Sequence, residues 1–165
     1  MRCVHETQLY DENCFVTLTY NDENLPEGGN LKKSDLQNFL RRLKRNADTQ
    51  IRYFGSGEYG SKLSRPHYHL CLFNYNFPDK EVLSKTRLYK NVGRIRPYNL
   101  DVYYVSEMLS KNWKFGFHTI GTLNFETAAY TARYCTKKIN GRKKEEHYNG
   151  MEPEFAIMSK NPGIG

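Results

Sequence analysis

Pro66-His67-Tyr68-His69-Leu70-Cys71-Leu72-Phe73 decides the reading of this chain. The run is aromatic and aliphatic, is entered through a proline and holds no glycine, which predicts a strand. Successive side chains of a strand alternate between its faces, so His67 and His69 project from the same one. Two imidazoles aimed at one point form half of a divalent-metal site. The spacing also occurs on half-exposed strands with no ligand role, so the pair needs support from elsewhere in the chain.

Working outward, Cys14-Phe15-Val16-Thr17-Leu18-Thr19-Tyr20 is β-branched and aromatic and reads as a strand ended by Asn21-Asp22-Glu23-Asn24, Pro26 and Gly28-Gly29. A helix is expected next, with Ser34 as N-cap, Gln37 three residues on, and Leu36, Phe39, Leu40 and Leu43 as its apolar stripe. Arg41, Arg42, Lys44 and Arg45 occupy its other face and suit a solvated surface or a DNA backbone. Ile51-Arg52-Tyr53-Phe54 reads as a second strand running into a glycine loop, Gly55-Ser56-Gly57-Glu58-Tyr59-Gly60. That loop matches the spacing of a dinucleotide fingerprint and nearly that of a phosphate-binding loop. Both motifs need a helix straight after the glycines, and Arg65-Pro66 leads into a strand instead, so neither applies. The useful residue of the loop is Glu58: beside the histidine strand it would complete a set of two nitrogens and one carboxylate, and elsewhere it is a surface glutamate.

Downstream, residues 75–100 read as a loop-rich insertion, Val102–Val105 as a short strand, Ser106–Asn112 as a short helix and Phe117–Leu123 as another strand. Asn124 is placed to cap a helix that ends at Asn140-Gly141. At 100° per residue Tyr130 and Tyr134 lie about 40° apart on this helix, with Lys137 between them and Arg133 and Lys138 flanking. Ala128, Ala132, Cys135 and Ile139 fall on the opposite side. Tyrosines at this spacing commonly pack on each other. Two phenols among three cations also have a chemical use, because a phenol attacks phosphorus only when cations stabilise the phenolate and the phosphate charge.

The chain has 165 residues, enough for one domain, and carries a net charge of +7 with 14% aromatic residues, 13 of them Tyr. Cations for phosphates and rings for unstacked bases are what single-stranded nucleic acid requires, although a merely basic domain has the same composition. Mean hydropathy is −0.79, no apolar run is long enough to span a membrane, and the first residues are polar, without the pattern of a signal peptide. Cys3, Cys14, Cys71 and Cys135 are widely spaced, which fits a reduced intracellular protein better than a disulfide framework or zinc knuckle.

Three stretches together resemble the HUH endonucleases, and within them the two-tyrosine replication initiators of microviruses of the gokushovirus type. They are Phe15–Tyr20; Gly57-Glu58-Tyr59-Gly60 with Arg65-Pro66-His67-Tyr68-His69; and Ala128–Lys138. Tyr68 stands where a bulky aliphatic residue is common in the family. The resemblance implies an α+β fold, a central antiparallel sheet flanked by helices and related to RNA-recognition and ferredoxin-like domains, over 1–165 as a single domain trimmed from a longer chain at both ends. It implies Mg²⁺ or Mn²⁺ held by Glu58, His67 and His69, nucleophiles Tyr130 and Tyr134 assisted by Lys137 and Lys138, and DNA contacts from Arg65 and Arg133 besides the cations of the first long helix. Tyr134, one turn before Lys137, is the expected first nucleophile. The implied partners are a single-stranded DNA origin, a host polymerase and a host helicase, since no phosphate-binding loop is present. A monomer in the cytoplasm of a bacterial host is expected. A transposase or plasmid initiator of the same superfamily, a non-catalytic RNA-recognition-like module and a zinc hydrolase are the competing readings.

Overall fold

A computed structural model describes residues 2–60, 64–87, 100–137, 148 and 150–165, leaving aside the side chains of 84–87, 100–101 and 134–137. The described elements, in chain order, are α1 (Arg2–Thr7), β1 (Asn13–Tyr20), α2 (Lys33–Arg45), β2 (Arg52–Tyr59), β3 (Pro66–Phe73), β4 (Glu81–Arg87), β5 (Leu100–Val105), α3 (Glu107–Asn112), β6 (Gly116–Gly121), α4 (Phe125–Lys137) and β7 (Phe155–Met158). The strands form one antiparallel sheet in the order β4-β5-β6-β1-β3-β2-β7, the α+β architecture expected. No helix among the described residues is long and apolar enough to cross a membrane.

Alternation along the strands divides the molecule into two layers of side chains. Cys14, Val16, Leu18 and Tyr20 of β1 and Tyr68, Leu70 and Leu72 of β3 point to one face. There they bury the α2 stripe of Leu36, Phe39, Leu40 and Leu43 together with Leu109 and Trp113. The opposite face carries Phe54, Cys71 and Phe73, packed with Cys3, Ala128 and Ile164. Helix α2 therefore backs one side of the sheet, while α4 crosses β2, β3 and β7 on the other.

Several expectations change. Ser34 is not the cap of α2: the N-cap is Lys32, with no side-chain capping bond. The buried Tyr68 hydroxyl anchors that entry instead, donating to the Lys32 carbonyl at 2.9 Å and accepting from its N–H at 3.1 Å. The expected glycine loop is strand. A Cβ at Gly55 would meet Leu70 Cδ2 at 2.5 Å, and one at Gly57 would meet the Phe155 ring at 2.8 Å, so those glycines leave room for neighbours on the α2 side. The region 75–100 contains β4, an edge strand with a register shift between Val82 and Ser84 whose charged residues hide the alternation. Ser106 caps α3 by accepting from Leu109 N–H at 3.0 Å, and Asn124 Oδ1 accepts from Thr127 N–H at 2.9 Å, as an N-cap of α4 should. The expected helix end at Asn140-Gly141 lies outside the described residues.

Elements without a periodic signal are tied in by polar contacts. Buried Glu6 of α1 pairs with Arg52 of β2 and accepts from Gly165 N–H at 2.8 Å. Arg52 also donates to the carbonyls of Pro162 and Gly163 at 3.1 and 2.6 Å. One ion pair thus joins α1, β2 and the segment after β7.

Candidate metal centre

Glu58, His67 and His69 converge because the register demands it. Glu58 on β2 pairs with His67 on β3, and the period of two puts His69 on the same face one pleat along. Glu58 Oε1 lies 2.7 Å from His67 Nε2 and 2.8 Å from His69 Nε2. The ligating atoms of all three lie within 4.8 Å of one another. Glu58 is 2% exposed and His69 6%, so this group is covered by protein.

The hydrogen-bond pattern of the histidines fits a cation. The Arg65 carbonyl can only accept, so His67 Nδ1, 2.9 Å away, carries a proton and Nε2 presents its lone pair toward the carboxylate. His69 is oriented by Thr17, whose Oγ1 lies 3.1 Å from Nδ1, and by Phe15, whose ring stacks on the imidazole at 5.5 Å. Glu58 Oε2 is buried with no hydrogen-bond partner. An orphaned carboxylate oxygen beside two convergent ring nitrogens is a donor set complete except for positive charge. Residues of this type suit a divalent ion, and their second-layer partners fix ring orientation as metal histidines require. Burial pushes the Glu58 carboxyl up, but the two imidazoles outweigh it and hold the group below its ordinary value. Burial pushes His67 down, which Glu58 and the Arg65 carbonyl more than offset, so His67 is raised; in the more deeply buried His69 burial prevails and the group is lowered.

Helix α4 brings a phenol to this centre. Tyr130 donates to Glu58 Oε1 at 3.4 Å, its ring edge-on to His69 at 5.1 Å. It remains 39% exposed, so its hydroxyl is both beside the donor set and open to solvent. The sheet-facing stripe of α4 differs from expectation: Ala128 is buried, Thr131 is fully buried, and Ala132 is exposed. Thr131 spends its hydroxyl on the Thr127 carbonyl at 3.0 Å, which lets a polar residue face the sheet. Tyr134 and Lys137 lie on the backbone of α4, their side chains outside the description, as is that of Cys135; Lys138 and Ile139 lie outside the described residues altogether.

The expected DNA contacts are dispersed. Arg133 is exposed on α4. The Arg65 guanidinium pairs with Asp22 and donates to the Tyr20 carbonyl at 3.0 Å, so the part of this residue that serves the centre is its carbonyl. Arg41, Arg42, Lys44 and Arg45 sit on α2, behind the sheet from the histidines. Arg42 donates to the Asn112 carbonyl at 2.8 and 3.2 Å, and Lys44 lies over the Tyr53 ring at 4.5 Å. Thr17 and Phe15 escape sequence reasoning as site residues. Their place on the same face as the histidines, in a strand running antiparallel beside β3, is the signal that would have found them.

Fold and site together define an antiparallel-sheet domain with a buried histidine and carboxylate cation group beside a helical tyrosine. The chain belongs to the replication-associated protein ORF2 family, whose model matches residues 13–139. It is 37% identical over 162 residues to the replication-associated protein ORF2 of Spiroplasma virus 4, covering 92% of this chain and 46% of that one. It is 32% identical over 155 residues to the replication-associated protein VP4 of Bdellovibrio phage phiMH2K, with 89% and 45% covered. It is also 32% identical over 139 residues to the replication-associated protein ORF4 of Chlamydia phage 1, with 81% and 33% covered. These matches agree with the resemblance read from the three motifs. The chain spans less than half the length of these relatives. No solved structure matches it significantly.

Proposed function

We propose that this domain initiates rolling-circle replication by nicking single-stranded DNA at an origin. The observation that supports this best is the meeting, at one carboxylate oxygen, of two histidine nitrogens and the Tyr130 hydroxyl. A zinc hydrolase has use for the first two and none for the tyrosine. A bound Mg²⁺ or Mn²⁺ supplies Lewis acidity toward the scissile phosphate, and Glu58, His67 and His69 are the residues that would hold it.

The chain's own groups do the rest. A phenol of α4, Tyr130 or Tyr134, attacks phosphorus; the tyrosyl O–P bond forms, the P–O3′ bond breaks, and the phenolic proton passes to solvent. The products are a 5′-phosphotyrosine and a free 3′-OH that primes a host polymerase. One phosphodiester replaces another of similar energy, so no nucleotide hydrolysis is needed. Lys137 and Lys138 are assigned to stabilising the phenolate, and the second tyrosine to cutting the regenerated origin so that the freed 3′-OH reseals the circle. Host helicase opens the duplex ahead, and the domain acts as a monomer in the host cytoplasm.

The test is the paired change His67→Ala and His69→Ala. Nicking is expected to vanish while oligonucleotide binding survives, because Lys and Arg contacts to phosphate carry most of the affinity. Undiminished cleavage by the double variant in EDTA would refute the metal role.

A further inference from the structure

The face of the sheet that bears the metal centre is only partly roofed. Helix α4 lies over β2, β3 and β7, while the same face continues across β1 and β6. Register places Glu58, His67, Thr19 and Phe117 in one row across β2, β3, β1 and β6. The next row is Ser56, His69, Thr17 and Thr119, and the one after ends at Gly121, over which the Tyr103 ring lies 3.8 Å from the position of a Cβ. Phe117 is thus two strands from His67, about 10 Å away at strand spacing. It is 68% exposed, although its neighbours along β6, His118 and Ile120, turn to the other face, where Ile120 is buried in the core and His118 accepts from Ser106 N–H. A phenylalanine held out on a sheet, in line with a metal centre, contributes little to the core.

We infer that Phe117, with Tyr103 at the far side, is a stacking platform for unpaired bases of the DNA strand whose phosphate lies at Glu58, His67 and His69. Three features support this occupant. The floor between platform and centre is Thr17, Thr19 and Thr119, small side chains that leave the face low and offer hydroxyls rather than a greasy patch suited to a protein. No acidic residue occurs in β1 or β6, so nothing on this path repels a phosphate backbone, and the chain is +7 overall. The surface is also continuous with the site it would serve. Aromatic rings on a sheet bind single strands by stacking, tolerantly of sequence, because every base has a π-face. The inference rests on the nicking function proposed above for its substrate, and its test does not require that chemistry.

The test is binding of a fluorescein-labelled single-stranded oligodeoxynucleotide to the full chain in EDTA, followed by anisotropy. Phe117→Ala is expected to weaken binding roughly tenfold to a hundredfold and Phe117→Trp to preserve it, with the slope of affinity against salt unchanged because no phosphate contact is lost. Phe117→Leu is expected to behave like Ala, which separates stacking from greasy contact. Photocrosslinking of an oligonucleotide carrying 5-iodouracil is expected to map to Phe117 or Tyr103. Wild-type affinity in Phe117→Ala, wild-type affinity in Phe117→Leu, or crosslinks confined to other elements would each overturn the platform. An equal loss for the matching duplex would also overturn it, since paired bases offer no free face. Failure to form a covalent DNA adduct, with the binding pattern intact, would instead remove the nicking chemistry and leave the platform standing.

Discussion

The two faces of the sheet are built from alternate residues of the same strands, and they are made for different ends. On the α2 side Tyr68, Leu70, Leu72, Leu18, Tyr20 and Trp113 are almost wholly buried in a continuous apolar cluster, and even its hydroxyls, such as Tyr68 at the entry to α2, are spent on anchoring backbone. On the α4 side the residues between them, His67, His69, Thr17 and Glu58, bury polar groups and leave Glu58 Oε2 without a partner. The contrast teaches that one face supplies the stability that allows the other to hold an electrostatically unfinished site. It can be broken or sharpened at particular residues.

The largest effect is expected at Glu58. Glu58→Gln keeps the shape and the hydrogen bonding to the imidazoles but removes the charge, so Mn²⁺ binding followed by electron paramagnetic resonance and nicking should both fall to background, with the denaturant midpoint little changed. On the other face Trp113→Ala should cost about 3–5 kcal/mol of unfolding free energy, measured by urea titration, with adduct formation per folded molecule retained. A large stability loss in the first variant, or a loss of chemistry without instability in the second, would break the division.

A smaller effect sharpens it. Thr17→Val removes the hydroxyl that orients His69 and should weaken Mn²⁺ affinity about 10–100-fold, measured by calorimetry, with Thr17→Ser close to wild type. Smaller still is an acid effect remote from the site. Arg52 and Gly165 outweigh burial at Glu6 and hold its carboxyl below the ordinary 4.5. A depressed carboxyl stabilises the fold above its unfolded value and loses that contribution as pH drops from about 4.5 toward the folded one. The urea midpoint should therefore decline over that range more steeply in the wild type than in Glu6→Gln.

What is legible in the sequence follows the same line. His67 and His69 can be paired from spacing alone, because a strand has a period of two. The core stripe of α2 and the strands β1, β3, β5 and β6 are readable for the same reason: their apolar residues recur at the element's own period. Glu58 stands out as a candidate even though its surroundings read as a loop, since Gly55 and Gly57 are there for Leu70 and Phe155, which are remote in sequence. Thr17 touches His69 across 52 positions, and Arg65 acts through its carbonyl, which every residue has. Short α1 and β7 give no periodic signal, and the face that α4 turns to the sheet depends on whether Thr131 can satisfy its hydroxyl within its own helix, which a wheel diagram does not reveal.

Attack by a phenol beside the metal group is the step on which everything else depends. Incubating the chain with a single-stranded origin oligonucleotide and Mn²⁺, and mapping any protein–DNA adduct by peptide mass spectrometry, puts that to the test. The predicted result is a phosphotyrosine at Tyr130 or Tyr134, absent in EDTA and abolished when both are changed to Phe. An adduct on a residue outside α4, or one formed equally well in EDTA, would contradict it.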